Sequence, residues 1–378
     1  MKKFISKITA FIVPLLIILI IPVLFLFVSG ENYKSIDDLV KSKHDYLIGY
    51  AYNEVNYRYL KQIELESRQP QQIIALGSSR VLQFRAKMFT KQFYNAGYTI
   101  SSISDFAPFI KSNLENKKPE VLLIALDQWM FNENWDNLEG YSMTNKTWSS
   151  FFKKSPSIGT IYKVWSDLLS NKYGFEILSS HEDNNTVKVG LNAFVSSKGF
   201  RKDGSIYYGS QIIKLLSNDS TAIDFNYSDT FERIKEGNRR FQHGVRVNDK
   251  AIKALSDLLM YCKSMDIYVV AILPPFANDV NKKMKESTNF SYLDSIYDKS
   301  KEIFDINDFE LWDMSNLTLY NSNDSETIDG FHGSEVAYLK MLIYMIENGS
   351  KLQDVSDIDK LKNDLSNKRN NYSVYPNE

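Results

Sequence analysis

Short apolar runs that stop at a glycine, a proline or a polar residue alternate with amphipathic segments in two parts of the chain. The strand-like runs lie at residues 73–77, 93–97, 120–127, 267–273 and 309–314. Helix-like segments lie at residues 86–92, 100–116, 248–265, 280–286, 292–304 and 334–348. Continuous apolar runs are typical of strands buried on both faces, and strand–helix alternation is typical of a parallel sheet. We therefore predict an α/β domain with a parallel sheet over residues 70–350.

An irregular segment, residues 128–245, interrupts this alternation. It is rich in aromatic residues, Asn and Gly and shows no long regular period. Within it, Asp203-Gly204 lies between two short apolar pieces, which predicts a hairpin turn. We interpret the segment as an insertion that covers the carboxyl edge of the sheet and shapes a cleft. The alternative is a surface excursion away from the cleft.

The amino terminus carries an uncharged apolar run, Ile8 to Val28. As a helix it would be roughly 31 Å long, close to the ~30 Å thickness of the hydrocarbon core of a bilayer. Basic residues precede it, which predicts a cytoplasmic amino terminus and a main domain in the periplasm or outside the cell. A cleaved signal peptide is the alternative, but the run is long and Val28-Ser29-Gly30 is only a weak cleavage site. We predict a single-pass anchor within residues 1–30, with residues 8–28 in the lipid bilayer.

Two further segments flank the predicted domain. Residues 31–69 are polar, with Tyr and Leu at irregular spacing, and are interpreted as a stalk or a helical lead-in. Residues 351–378 are charged, rich in Asn and poor in apolar residues, which predicts a flexible tail.

Composition narrows the classes of function. The chain has 378 residues, a formal net charge of −1, one cysteine and four histidines. A near-neutral chain has no global field that attracts nucleic acid, so no nucleic-acid partner is predicted. No cofactor or metal site is predicted either, because no Cys/His cluster has ligand spacing. A phosphate-binding or nucleotide enzyme is poorly supported, because no Gly-x-x-x-x-Gly-Lys motif is present.

The first candidate motif is Gly77-Ser78-Ser79, directly after the run Ile73–Leu76. Open α/β sheets place their active sites at the carboxyl ends of strands, and a glycine there allows a tight turn. Ser79 therefore occupies a suitable position for a nucleophile. The alternative is that Ser78 or Ser79 only caps the helix that follows.

The second candidate motif is Asp329-Gly330-Phe331-His332, directly before an amphipathic helix. A serine hydroxyl needs a neighbouring base, and His332 can supply one while Asp329 orients its imidazole. The alternative is a turn that leads into the helix. We predict a catalytic triad of Ser79, His332 and Asp329.

Taken in order, these motifs resemble the SGNH (GDSL-type) hydrolase superfamily over about residues 70–348. The resemblance implies a three-layer α/β/α fold and an oxyanion hole built by the nucleophile's N–H, a glycine and an asparagine. Gly97 matches the glycine. Leu126-Asp127-Gln128-Trp129 departs from the expected Gly-x-Asn-Asp, so Gln128 is the nearest match for the asparagine and Asn132 is the fallback.

Gly-Ser-Ser combined with an amino-terminal anchor is similar to one branch of that superfamily. Its members take part in D-alanyl transfer to teichoic acids and in O-acetylation of alginate and other exopolysaccharides. The similarity implies that Ser79 carries an acyl group from a membrane O-acyltransferase partner to a cell-envelope polysaccharide, or hydrolyses such an ester. Because the motif after the third strand departs from the pattern of the superfamily, the alternative is a non-catalytic protein on the same fold that binds a glycan or serves as a scaffold. Arg80 is interpreted as pairing with a surface carboxylate, with a substrate anion as the alternative.

Overall fold

The computed structural model describes residues 2–32, 34–42, 44–54, 56–135, 156–179 and 186–376. The helices in these ranges are α1 (Lys2–Val28), α2 (Ile36–Lys41), α3 (Asn56–Ser67), α4 (Phe106–Leu114), α5 (Ile158–Leu169), α6 (Leu191–Ser196), α7 (Ser210–Leu216), α8 (Ser228–Glu236), α9 (Asp249–Ser264), α10 (Asn278–Lys285), α11 (Leu293–Ile306), α12 (Glu335–Glu347) and α13 (Ile358–Ser366). The strands are β1 (Asp45–Ile48), β2 (Ile73–Leu76), β3 (Phe93–Asn95), β4 (Val121–Ala125), β5 (Thr186–Val189), β6 (Gly199–Arg201), β7 (Ile206–Tyr207), β8 (Tyr268–Leu273), β9 (Glu310–Asp313), β10 (Thr327–Asp329) and β11 (His332–Gly333).

Five strands form a wholly parallel sheet in the order β3-β2-β4-β8-β9. Each corresponds to one of the apolar runs, so the prediction of an α/β fold with a parallel sheet is confirmed. The chain adds β3 on one side of β2 and β4 on the other. The order therefore reverses at β2, and in open α/β sheets ligands bind beside the carboxyl end of such a strand.

Both faces of this sheet are buried against helices. Ile74 and Leu76 of β2 belong to a core shared with α4, α9 and α11, whereas the alternating residues Ile73 and Ala75 belong to a core shared with α12 and α13. This two-sided burial explains why the strands read as continuous apolar runs rather than as alternating ones.

A smaller sheet, in the order β5-β1-β6-β7, lies outside the predicted regular elements. Its β6–β7 pair is antiparallel, which confirms the predicted hairpin at Asp203-Gly204. Gly204 has a φ of +81°, and a Cβ there would lie 2.1 Å from the Asn95 carbonyl oxygen. The backbone N–H of Asn95 donates to the Asp203 carbonyl (2.9 Å), so the hairpin tip is joined to the end of β3.

The described residues between 31 and 69 contribute β1 to this sheet and α2 and α3 to its core, so the stalk interpretation is wrong. The helical alternative fits α3, but β1 pairs with β5 and β6, and Tyr46, Ile48 and Tyr50 are buried. Glu31 joins this segment to the insertion. Its carboxylate accepts the N–H groups of Ala51, Tyr52, Asn53 and Leu191.

The carboxyl-terminal segment is also packed, so the prediction of a flexible tail is wrong. It forms α13, and Leu361, Val374 and Tyr375 enter the core on the α12 face of the sheet. The backbone N–H groups of Val374 and Tyr375 donate to Glu335 Oε2 (2.6 and 3.1 Å). A few apolar residues are sufficient to hold this segment in place, because they pack against the apolar surface of α12.

Helix α1 is long and apolar enough to cross a membrane. Most of its side chains are exposed, but Phe25 and Leu26 in its last turns are fully buried against residues of α5 such as Val164 and Leu168. Phe25 and Leu26 thus belong to a small buried cluster of their own, distinct from the cores that flank the parallel sheet.

Candidate active site

Ser79 begins a 3₁₀ turn, Ser79–Val81, immediately beyond β2. The hydroxyl that caps this turn belongs to Ser78, whose Oγ accepts the Arg80 N–H (3.2 Å). The capping alternative therefore holds for Ser78 and leaves the Ser79 hydroxyl available. Gly77 permits the close approach of β4, because a Cβ there would lie 3.0 Å from the Ala125 Cβ.

The structure brings Ser79, His332 and Asp329 together. Ser79 Oγ lies 2.8 Å from His332 Nε2, and His332 Nδ1 lies 2.7 and 2.9 Å from the two carboxylate oxygens of Asp329. Asp329 ends β10 and His332 begins β11, so the hairpin formed by these strands holds both side chains toward one point. Asp329 Oδ1 also accepts the N–H groups of Phe331 and His332 (3.0 and 2.8 Å).

The electrostatics of this pair suit a base. Burial alone would raise the pKa of Asp329, but the His332 imidazole and the two backbone N–H groups outweigh it, and the pKa of Asp329 is lowered. An ionised Asp329 favours the tautomer that carries hydrogen on Nδ1, which leaves the lone pair of Nε2 facing the serine hydroxyl. Such an imidazole can take the hydroxyl proton as the oxygen attacks a carbonyl carbon.

The other histidines lie elsewhere. His44 is exposed, His243 Nε2 lies 2.9 Å from the Ile234 carbonyl oxygen, and His181 falls outside the described residues. Within the described ranges, no three His, Cys, Asp or Glu side chains form a group that could hold a metal ion.

Arg80 is buried beneath the site, so the interpretation of a surface ion pair is wrong. Its guanidinium donates to Gln128 Oε1 (2.7 Å) and to the carbonyls of Pro274 and Pro275 (2.8 and 2.5 Å), and the Asp127 carboxylate lies 3.5 Å from Nη1. Burial lowers the pKa of Arg80, and the negative charge of Asp127 partly offsets this shift. Burial raises the pKa of Asp127, and the positive charge of Arg80 partly offsets that shift. The cluster joins the ends of β2, β4 and β8.

Both amides predicted for the oxyanion hole form hydrogen bonds with other parts of the chain. Gln128 Nε2 donates to the Pro274 carbonyl (2.8 Å) while its oxygen accepts from Arg80. Asn132 Nδ2 donates to the Gln242 carbonyl (2.6 Å), and its oxygen accepts the Asn134 N–H. Backbone carbonyls remote in sequence thus engage one N–H of each amide, and the role of the two residues in an oxyanion hole stays a prediction.

Gly97 packs against the nucleophile turn but does not offer its N–H to the site. That N–H donates to Asn95 Oδ1 (2.9 Å), so this predicted oxyanion donor is wrong. A Cβ at position 97 would lie 2.5 Å from Val81 Cγ1 and 2.7 Å from Leu82 Cδ2. Among the described residues, no hydrogen bond occupies the backbone N–H of Ser79, which leaves that donor available.

Asn95 is a positioning residue that the sequence interpretation missed. Its Nδ2 donates to the carbonyls of Val81 and Phe84 (2.9 and 3.0 Å), and its Oδ1 accepts from Gly97. The side chain thereby holds the chain that follows Ser79. The only feature of the sequence that could have indicated this role is the position of Asn95, a polar residue at the end of an apolar run.

A cavity of about 210 Å³ opens above Ser79 and His332. It is lined by residues of three parts of the chain: the lead-in, the sheet and the insertion. Tyr57, Tyr98, Phe200 and Tyr208 give it aromatic walls, and the Phe200 ring meets the Tyr57 ring edge-on at 4.6 Å between centroids. The insertion therefore contributes to the cleft, as predicted. Its individual wall residues could not be identified from sequence, because no regular period places them.

Charged residues also line the cavity, chiefly Lys198, Arg240 and Glu54. The Lys198 Nζ lies 5.6 Å from the centroid of the Tyr208 ring. Burial lowers the pKa of Lys198, although Glu54 and Asp329 oppose this effect. The sequence interpretation missed all three residues, since each is a common surface residue type without a motif.

Comparison with known proteins adds no family to these observations: neither protein-family models nor the curated proteins give a match to the chain.

Proposed function

We propose that this protein is a membrane-anchored, extracytoplasmic serine acyl-ester enzyme with an SGNH-type three-layer fold, acting on a cell-envelope polysaccharide. One observation carries the proposal: a hydrogen-bonded Ser79–His332–Asp329 arrangement at the carboxyl end of a parallel strand, open to an aromatic cavity. Aromatic walls suit a sugar ring, because C–H groups pack well against π faces. The amino terminus would lie in the cytoplasm, with a membrane O-acyltransferase as the partner that supplies the acyl group.

The reaction would proceed through an acyl-serine. Ser79 Oγ attacks the ester carbonyl carbon while its proton passes to His332 Nε2, and the Ser79 N–H stabilises the oxyanion. His332 then returns the proton to the departing oxygen. In the second half, the incoming hydroxyl oxygen attacks the acyl carbonyl carbon as His332 takes its proton. The bond between the acyl carbon and Ser79 Oγ then breaks, and His332 returns the proton to Oγ. Water as the incoming group makes the enzyme an esterase, and a sugar hydroxyl makes it a transferase.

The second candidate is a non-catalytic glycan-binding or scaffold protein on the same fold. It is favoured by the hydrogen bond that occupies the single N–H of Gly97 and by the one that Gln128 Nε2 donates to the Pro274 carbonyl, because each engages an implied oxyanion donor elsewhere. Loss of one such donor commonly costs about 10²–10³ in kcat.

The test is the reaction of the full chain, purified in detergent, with a fluorophosphonate probe and with p-nitrophenyl acetate. We expect the label to map to Ser79 and to disappear in Ser79→Ala. Ser78→Ala is the matched control: it removes the cap of the Arg80 N–H, worth about 1 kcal/mol, and the hydroxyl contact to Asp127. It leaves Ser79 in place and should still be labelled. A folded wild-type protein that is neither labelled nor active would contradict the proposal and favour the glycan-binding candidate.

A further inference from the structure

Helix α5 carries an apolar stripe that is largely exposed in the part of the protein that the structure describes. Ile158, Tyr162 and Leu169 have exposed fractions of 86%, 74% and 79%. With the half-buried Trp165 they follow one another at spacings of four, three and four residues, so they lie along one side of the helix. An exposed stripe of this kind is unusual for a soluble monomer and marks a contact surface.

The other apolar residues of α5 pack against α1. Val164 and Leu168 are buried in a cluster with Phe25 and Leu26 of α1. Polar residues occupy the remaining side: Lys163 is exposed, and Asp167 pairs with Lys172 (3.0 Å) and accepts from the Tyr52 hydroxyl (2.7 Å). The helix is therefore amphipathic, and its apolar surface is divided between α1 and the exterior.

A hydrogen bond places the stripe beside the exposed part of α1. Trp165 Nε1 donates to the Ile18 carbonyl (2.7 Å). In a helix, that carbonyl would accept the N–H of the residue four positions later, which is Pro22 and has no N–H. The indole supplies the missing donor. Inside a membrane this matters, because no water is available to satisfy a backbone carbonyl.

The exposed apolar surface continues beyond α5. Phe175 and Leu178 are exposed, and the Phe175 ring meets the Phe25 ring edge-on at 5.6 Å between centroids. Residues of α1 beside the Trp165 contact, such as Ile17 and Ile20, are about half exposed. The stripe and the membrane-crossing part of α1 thus form one continuous apolar surface.

We propose that α5 lies in the interfacial layer of the lipid bilayer, with Ile158, Tyr162, Trp165 and Leu169 against the acyl chains. Continuity with α1 favours lipid over a protein partner, since the neighbouring surface of α1 itself requires lipid. Tyr and Trp are enriched at this depth of a membrane, and Lys163 can extend its ammonium toward the headgroups. This membrane contact does not depend on whether Ser79 is a nucleophile.

The experiment uses the full chain with its single cysteine replaced (Cys262→Ala) and one new cysteine labelled with an environment-sensitive NBD dye. Tyr162→Cys probes the stripe, and Lys163→Cys is the matched control on the polar side of the same helix. Ile306→Cys is a second control: it is 71% exposed on α11, which packs against α9 and β9. The protein is reconstituted in phosphatidylcholine vesicles that contain lipids spin-labelled near the headgroup.

We expect the dye at position 162 to lose most of its emission to the spin-labelled lipid, the dye at 163 to lose less and the dye at 306 to lose none. Equal quenching at 162 and 306 would overturn the proposal. A dye at 162 that is shielded from aqueous iodide, yet not quenched by lipid, would also overturn it and would indicate a protein partner or a second copy of the chain.

Discussion

One carboxylate, Asp329, holds both the ring and the backbone of His332. It faces Nδ1 with both oxygens and accepts two backbone N–H groups through Oδ1. The backbone bonds hold the turn, so the imidazole is oriented even without a contact to Ser79. At the scale of single residues, the site is therefore preorganised by its own hairpin. The insertion supports that hairpin, since the Gly330 N–H donates to Asp224 Oδ2 (3.0 Å).

Asp329→Asn tests this role. The amide oxygen can still accept the backbone N–H groups, but its NH₂ would face Nδ1 and favour the wrong imidazole tautomer. We expect an intact fold and a rate of fluorophosphonate labelling lower by about four orders of magnitude. The labelling time course measures the rate, and circular dichroism checks the fold. Labelling of the variant at the wild-type rate would show that Asp329 does not support the base.

At the scale of elements, the β6–β7 hairpin is held to the nucleophile side of the sheet through Asp203. Its carboxylate accepts from Arg85 Nε, the Ala86 N–H and Ser205. Burial alone would raise the pKa of Asp203, but Arg85, Arg201 and Ser205 outweigh it and lower the pKa to about 2. The hairpin contact is thus strongest when this carboxylate is ionised.

The contribution of Asp203 to the free energy of unfolding depends on pH. Because the folded-state pKa lies below the usual value, the contribution to stability is fully present above about pH 4 and is lost as pH falls toward 2. It amounts to about 2 kcal/mol. We expect Asp203→Asn to lower the free energy of unfolding at pH 7 and to approach the wild type near pH 2, as measured by denaturation across pH.

The matched control is Asp266→Asn, whose side chain is 99% exposed. It should follow the wild type at every pH. A difference between Asp203→Asn and the wild type that stays constant from pH 7 to pH 2 would argue against the role of the ionised carboxylate.

The sequence predicted elements whose signal is local and missed those whose partners are remote. The strands β2, β4 and β8 are recognisable because each is apolar throughout. By contrast, β1 pairs with β5 and β6, which follow more than a hundred residues later, and nothing near residue 45 indicates this. The hydrogen bond from Gln128 was not predictable for the same reason, since its partner is the carbonyl of Pro274. Ser79, Asp329 and His332 were identifiable because short motifs, in order, specify their types and spacing.

At the scale of the whole molecule, a chain of contacts runs from the carboxyl terminus to the hairpin. The Val374 and Tyr375 N–H groups donate to Glu335, Glu335 binds Arg85 Nη1 (2.6 Å), and Arg85 binds Asp203. Glu335 begins α12, three residues after His332. The carboxyl-terminal segment is therefore part of the support of the site.

Truncation after residue 372 tests that support. It removes the two N–H groups from the buried Glu335 carboxylate, and an unsatisfied buried group costs about 1–3 kcal/mol. We expect a lower Tm and slower fluorophosphonate labelling. Tyr375→Phe is the control, because it keeps both N–H groups and loses only the hydroxyl contact to Asp364. A truncated chain with the wild-type Tm would contradict this role.

Adjacent residues connect the membrane side of the protein to the cavity. Leu191 packs in the cluster with Phe25 and Leu26 of α1, and Asn192 lines the cavity above Ser79. In the proposed function, this linkage keeps the reactive serine at a constant height above the bilayer. Only the part of a polysaccharide that comes within reach of this height would then be modified. The acyl groups would therefore mark the segments of the polymer that approach the membrane surface.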